Sequence, residues 1–129
     1  MSQIEIDITL RIFMEIARMK RRPLGGIMMS KYKTIEPEEV QERLAKGETL
    51  FLVDVREDEE IEYGKIPQAV HIKMGDIPNK LEFFDIEQEY IFICRSGVRS
   101  ESVCHYLNDL GYKTVNMLGG MMHYQGVVK

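Results

Sequence analysis

The sequence predicts an α/β fold with a mainly parallel sheet. From residue 34 onward, short apolar runs of strand length alternate with helical segments that carry one apolar face. The central runs are apolar at nearly every position, which suits strands covered by helices on both faces. Glycines mark where helices should stop. A chain of 129 residues suits one domain with a core of useful size.

The elements follow in order. Ile4–Leu10 alternates apolar and polar residues as a strand does, and the spacing then drifts toward a helix that ends in a basic cluster and the breaker "RPLGG". Residues 1–30 therefore read as an N-terminal extension, with residues 31–129 as the folded domain. Two readings of the extension stand. The preferred one is a poorly ordered tail, or translation begun upstream of a start at Met28 or Met29; the other is an amphipathic docking or membrane-surface segment. "TIEPEEVQERLAKG" offers Thr34 or Glu36 ahead of Pro37, with Val40 and Leu44 on one face and Gly47 as the stop of a short helix. Leu50–Val55 is a buried strand, "EDEEIEYG" a short acidic helix or turn, and Ala69–Ile72 a short strand. "DIPNKLEFF" is a loop carrying one helical turn, and Glu89–Cys94 is a second buried strand. Ser100–Gly111 is a helix with Val103, Leu107 and Leu110 on one face; Lys113–Met117 is a last strand before the Gly119-Gly120 turn.

Charge and composition exclude some classes of function. The net charge of −4 gives no case for nucleic acid or a membrane as partner. Residues 1–33 hold seven Lys/Arg against three Asp/Glu, and the remainder ten against eighteen, so the main body is acidic. A cationic segment inside it stands out. The two cysteines, Cys94 and Cys104, make no disulfide framework, and with scattered His71, His105 and His123 they show no metal-ligand spacing. No apolar run approaches a bilayer span, so a reducing cytoplasm is the expected setting, where a free thiol stays available. No metal or cofactor is expected.

That cationic segment is "CRSGVRS". In open α/β sheets ligands sit beyond the C-terminal strand ends, where Cys94 falls. Gly97 allows a tight turn whose N–H groups face inward, and such a turn at a helix start is an anion nest. Aligned N–H groups, the helix dipole, Arg95 and Arg99 should favour an accessible thiolate at Cys94, which is a nucleophile. The competing reading, a cysteine that merely fills a strand end, leaves the coincidence of strand, Cys, Gly, paired arginines and helix start unexplained. Cys104, within the helix and beside no basic cluster, reads as a small packed hydrophobe.

Three blocks, "LVDVREDEEIEYGKIPQAVHI", "FICRSGVRSESVCHYLNDLGY" and "LGGMMHY", together resemble a single-domain rhodanese-like sulfurtransferase over about residues 34–126. The resemblance implies a small five-stranded parallel sheet flanked by helices. It also implies that Cys94 takes a sulfane sulfur from a small donor anion, thiosulfate or a persulfide, and passes it to cyanide, a thiol or a partner protein's cysteine. Backbone N–H groups from Arg95 through Ser96, Gly97, Val98, Arg99 and Ser100 would hold the outer sulfur. Arg95 would face the substrate anion, and Arg99 would anchor the loop or bind sulfonate oxygens. Asp54 would support the loop and Arg56 would make a structural salt bridge, although on residues alone a polar strand end accounts for that pair almost as well.

The chain departs from the family pattern at Lys65, where His is usual, at Gln68, where Gly is usual, and at Tyr124, where Trp is usual. None is adjacent to the nucleophile; they bear on substrate preference and local packing. Two rivals remain. Phosphatases and arsenate reductases with a Cys-to-Arg loop place five residues between the two, whereas Cys94 and Arg99 have four between them. A non-catalytic or partner-dependent sulfur-carrier module on the same scaffold is the other.

Overall fold

The computed structural model describes residues 32–129; the expected extension over residues 1–30, with its strand at Ile4–Leu10, lies outside them. The strands are β1 (Lys33–Ile35), β2 (Leu52–Asp54), β3 (Val70–His71), β4 (Glu89–Ile93) and β5 (Lys113–Met117). They form one all-parallel sheet in the order β1-β5-β4-β2-β3. The helices are α1 (Pro37–Ala45), α2 (Asp58–Ile61) and α3 (Val98–Asp109), with 3-10 stretches at Met74–Phe83 and Gly120–Met122. Among the described residues no helix is long and apolar enough to cross a membrane.

The predicted α/β class and five-stranded parallel sheet are what the structure has. β1 is the element that residue pattern missed. In sequence Thr34 reads only as a candidate helix start, and of the three residues only Ile35 is buried; the strand exists because its backbone pairs with β5, Ile35 opposite Met117. Glu36 rather than Thr34 takes the N-cap position of α1, ahead of Pro37. The loop expected at Asp76–Phe84 is largely 3-10, interrupted at Lys80.

Alternation along the strands divides the core in two. Tyr90, Phe92 and Cys94 face one cluster with Val53, Val55, Val103 and Leu107, under α3. Ile91 and Ile93 face the other, with Leu52, Ile35, Val115, Met117 and Val40 of α1. Both faces of the central strands are therefore buried, as their unbroken apolar runs require. Pairing of Asp54 with Ile93, together with a 2.8 Å bond from the Val55 N–H to the Ile93 carbonyl, brings the ends of β2 and β4 to the same edge. That edge carries both "VDVR" and "CRSGVRS".

Candidate active site

β4 ends at Ile93, so Cys94 is the first residue past the strand rather than its last. α3 begins at Val98, two residues before the expected Ser100, and Gly97 is its N-cap with φ +97°. That left-handed conformation suits glycine and reverses the chain within three residues of Cys94. The Gly97 N–H consequently points back and donates to Cys94 Sγ at 3.0 Å. The Ser100 hydroxyl lies 3.3 Å from the same sulfur.

The Gly119-Gly120 turn holds the loop from the other side. Met121 and Met122 N–H groups donate to the carbonyls of Cys94 and Arg95, both at 2.9 Å. Gly120 sits so close that a Cβ there would overlap the Cys94 carbonyl and the Arg95 backbone. The sequence showed a double-glycine turn, but nothing in it said that the turn braces the cysteine. Enclosed in this way, Cys94 is fully buried. This corrects the expectation of an accessible thiol: close approach of Gly97, Ser100 and the Gly-Gly turn leaves its own surface covered.

The two loop arginines separate in role. Arg99, half-buried, donates from Nη1 and Nη2 to the two carboxylate oxygens of Glu60, each at 2.7 Å. Those hydrogen bonds hold the Glu60 carboxyl well below the ordinary range, at about 2, and raise the affinity of Arg99 for its proton. In sequence Glu60 reads only as part of a short acidic helix or turn; its place in α2, whose capping box with Glu57 fixes the first turn, is what aims it at the loop. Arg95 and Val98 are exposed, as is Ser96. Arg95 lines a cleft of about 420 Å³ with Arg56, Glu59, Glu60, Tyr63, Met121 and Met122.

Asp54 and Arg56, the latter lining that cleft, form a buried pair. Nε and Nη2 of Arg56 donate to the Asp54 carboxylate at 2.8–3.1 Å, and Nη2 also reaches the Gly64 carbonyl at 2.9 Å. The bonds to the Asp54 carboxylate come from Arg56, including its backbone N–H. Lys65, in the position where the family has His, puts its ammonium on the carbonyls of Ile66, Pro67 and Ala69. Tyr124 is half-buried against the second core cluster, and Gln68 is exposed. Cys104 is buried in the core, and that burial pushes its thiol far up, away from ionisation. Among the described residues no His/Cys/Asp/Glu group could hold a metal ion.

Comparison with known proteins places relatives beside this chain by sequence and by fold. The model of the rhodanese-like domain family matches residues 36–126. A Bacillus subtilis (strain 168) protein named "Putative sulfurtransferase YtwF" is 56% identical over 97 residues, covering 75% of this chain and 94% of that protein. A Pseudomonas syringae pv. syringae protein named thiosulfate sulfurtransferase GlpE is 30% identical over 92 residues, covering 71% of this chain and 85% of that protein. Among solved structures, a rhodanese-like domain protein from Staphylococcus aureus superposes with a TM-score of 0.71 at 37% identity, over 75% of this chain and 96% of that one.

Proposed function

We infer that this chain, which belongs to the rhodanese-like domain family, is a sulfurtransferase that carries one sulfane sulfur on Cys94 as a persulfide. The observation that carries the reading is the Gly97 N–H at 3.0 Å from Cys94 Sγ, in a loop with four residues between Cys94 and Arg99. Such a cradle suits one extra sulfur atom and is short for a tetrahedral oxyanion. We assign the domain to residues 31–129 and residues 1–30 to an appended segment.

In the first half-reaction the Cys94 thiolate attacks the outer sulfur of the donor. With thiosulfate, the donor's S–S bond breaks, sulfite leaves with the electron pair, and Cys94–S–S⁻ remains. A persulfide sulfur lies about 2 Å beyond Sγ, so loading moves the reactive atom outward from a buried thiol. In the second half-reaction an acceptor lone pair forms a bond to the outer sulfur and the electron pair of the Cys94 S–S bond returns to Sγ. Cyanide becomes thiocyanate, and a thiolate becomes a persulfide.

The residues divide this work. Backbone N–H groups of the loop from Arg95 through Ser96, Gly97, Val98, Arg99 and Ser100 hold the outer sulfur. Arg95, exposed at the cleft, meets the donor anion. Arg99 is the anchor of the loop, since its Nη1 and Nη2 both engage the Glu60 carboxylate. Asp54 and Arg56 fix the end of β2 beside the loop. Thiosulfate is supported as a donor by a relative's name, and a thiol or a protein cysteine in a reducing compartment is the natural acceptor we assign. The reading is tested by offering thiosulfate with cyanide, an aryl phosphate and arsenate in parallel. Thiocyanate alone should form; phosphate release or arsenate reduction without thiocyanate would overturn it.

A further inference from the structure

We propose that the Ser100 hydroxyl is a catalytic hydrogen-bond donor to Cys94 Sγ, held ready by Asn116, and that it serves the discharge of sulfur rather than its uptake. The proposal rests on the persulfide reading above. Four groups close a ring at the base of the loop. The Gly97 N–H donates to Cys94 Sγ at 3.0 Å, and Asn116 Nδ2 donates to the Gly97 carbonyl at 3.1 Å. The Ser100 hydroxyl lies 2.5 Å from Asn116 Oδ1 and 3.3 Å from Cys94 Sγ. Cys94, Ser100 and Asn116 are all buried.

The inventory of protons then decides what the ring does. The Gly97 carbonyl has only lone pairs, so Asn116 must turn its NH2 toward it, which directs Oδ1 at Ser100. Ser100 has one hydroxyl proton and two neighbours that can accept it. When Cys94 is a neutral thiol, S–H donates to Ser100 Oγ and the hydroxyl donates to Asn116, leaving each proton placed. When charge sits on Sγ, the sulfur is the stronger acceptor and the hydroxyl turns to it. Asn116 is thus a positioning residue that holds the proton when the sulfur does not need it.

The two half-reactions differ in where the charge goes. During loading, the Sγ lone pair becomes the new S–S bond and the charge departs with sulfite, so a bond from Ser100 to Sγ stabilises the starting thiolate and gives no acceleration. During discharge the S–S bond breaks and its electron pair, with the charge, arrives on Sγ. A donor already 3.3 Å away meets that charge as it forms. No proton transfer is needed, and the hydroxyl keeps its hydrogen throughout. A role confined to packing would slow both half-reactions together.

The test is single-turnover kinetics on the full chain. Wild type and Ser100→Ala are loaded with thiosulfate, freed of it, and mixed with cyanide, with persulfide followed by intact mass. Only loaded molecules enter the measurement, so a misfolded fraction drops out. Ser100→Ala should load within about threefold of wild type and discharge about ten- to a hundredfold more slowly, the range for a hydrogen bond to a charged group. Ser100→Thr, which keeps the hydroxyl, should recover most of the discharge rate. Equal slowing of both steps, an unchanged discharge, or a Ser100→Ala protein that takes no sulfur where wild type does would overturn the proposal. A wild-type chain that takes no sulfur would instead overturn the sulfurtransferase reading on which it rests.

Discussion

The Arg99 guanidinium lies fork to fork with the Glu60 carboxylate, two bonds of 2.7 Å joining α3 to α2. Arg99, which the family resemblance implies as either loop anchor or sulfonate ligand, thus ties the start of α3 to α2. A lysine cannot reproduce the fork, because its ammonium is a point charge. Arg99→Lys and Glu60→Gln should each lower kcat/KM by about tenfold or more through a loosened loop. Steady-state assays with thiosulfate and cyanide check this.

The same pair sets a pH window. Glu60 is held from its ordinary 4.5 down to about 2, so its stabilising effect is complete above the ordinary value and is lost as pH falls toward about 2. The difference in melting temperature between wild type and Glu60→Gln should be flat from neutrality to about pH 5 and shrink below that. A difference that varied across the neutral range would assign the stabilisation to another group.

Removing Arg56 should cost more stability than removing any surface arginine. Asp54 is fully buried, and the bonds to its carboxylate come from Arg56. Arg56→Ala leaves that charge without its partner at a cost of about 3–5 kcal/mol, read by denaturant unfolding. Arg43→Ala, whose partners Glu39 and Glu48 are at the surface, should change stability by less than about 1 kcal/mol.

Gly120→Ala should damage the loop out of proportion to its size. The backbone there has φ +59°, and the added Cβ would run into the Cys94 carbonyl and the Arg95 backbone. Gly47 also has positive φ, +83°, but nothing within 4 Å of a Cβ. Gly47→Ala should therefore cost only about 1–2 kcal/mol and leave turnover intact, while Gly120→Ala loses both stability and activity. Thermal melts and turnover on the two variants separate strain from collision.

The legibility of these features follows from their range along the chain. β2, β4 and α3 were readable because their apolar spacing is local, and Cys94, Gly97 and Arg99 because they are six consecutive residues' worth of chemistry. β1 was not, because three residues with one buried side chain carry no period; its partner is more than eighty residues away at β5. Glu60 lies 39 residues from Arg99, and Asn116 lies 16 from Ser100. Neither residue type at its own position announces a partner so distant. The burial of Cys94 was equally hidden, since the Gly-Gly turn that encloses it is a separate block of sequence.

The most direct test of the persulfide mechanism is the mass of the intact chain after thiosulfate treatment, with the site of addition mapped on peptides. Cys94 should gain one sulfur atom, removed by cyanide, while Cys104, buried and held away from ionisation, gains none. Cys94→Ser should neither gain sulfur nor form thiocyanate. Sulfur found on Cys104, or thiocyanate formed at the wild-type rate by Cys94→Ser, would contradict the mechanism.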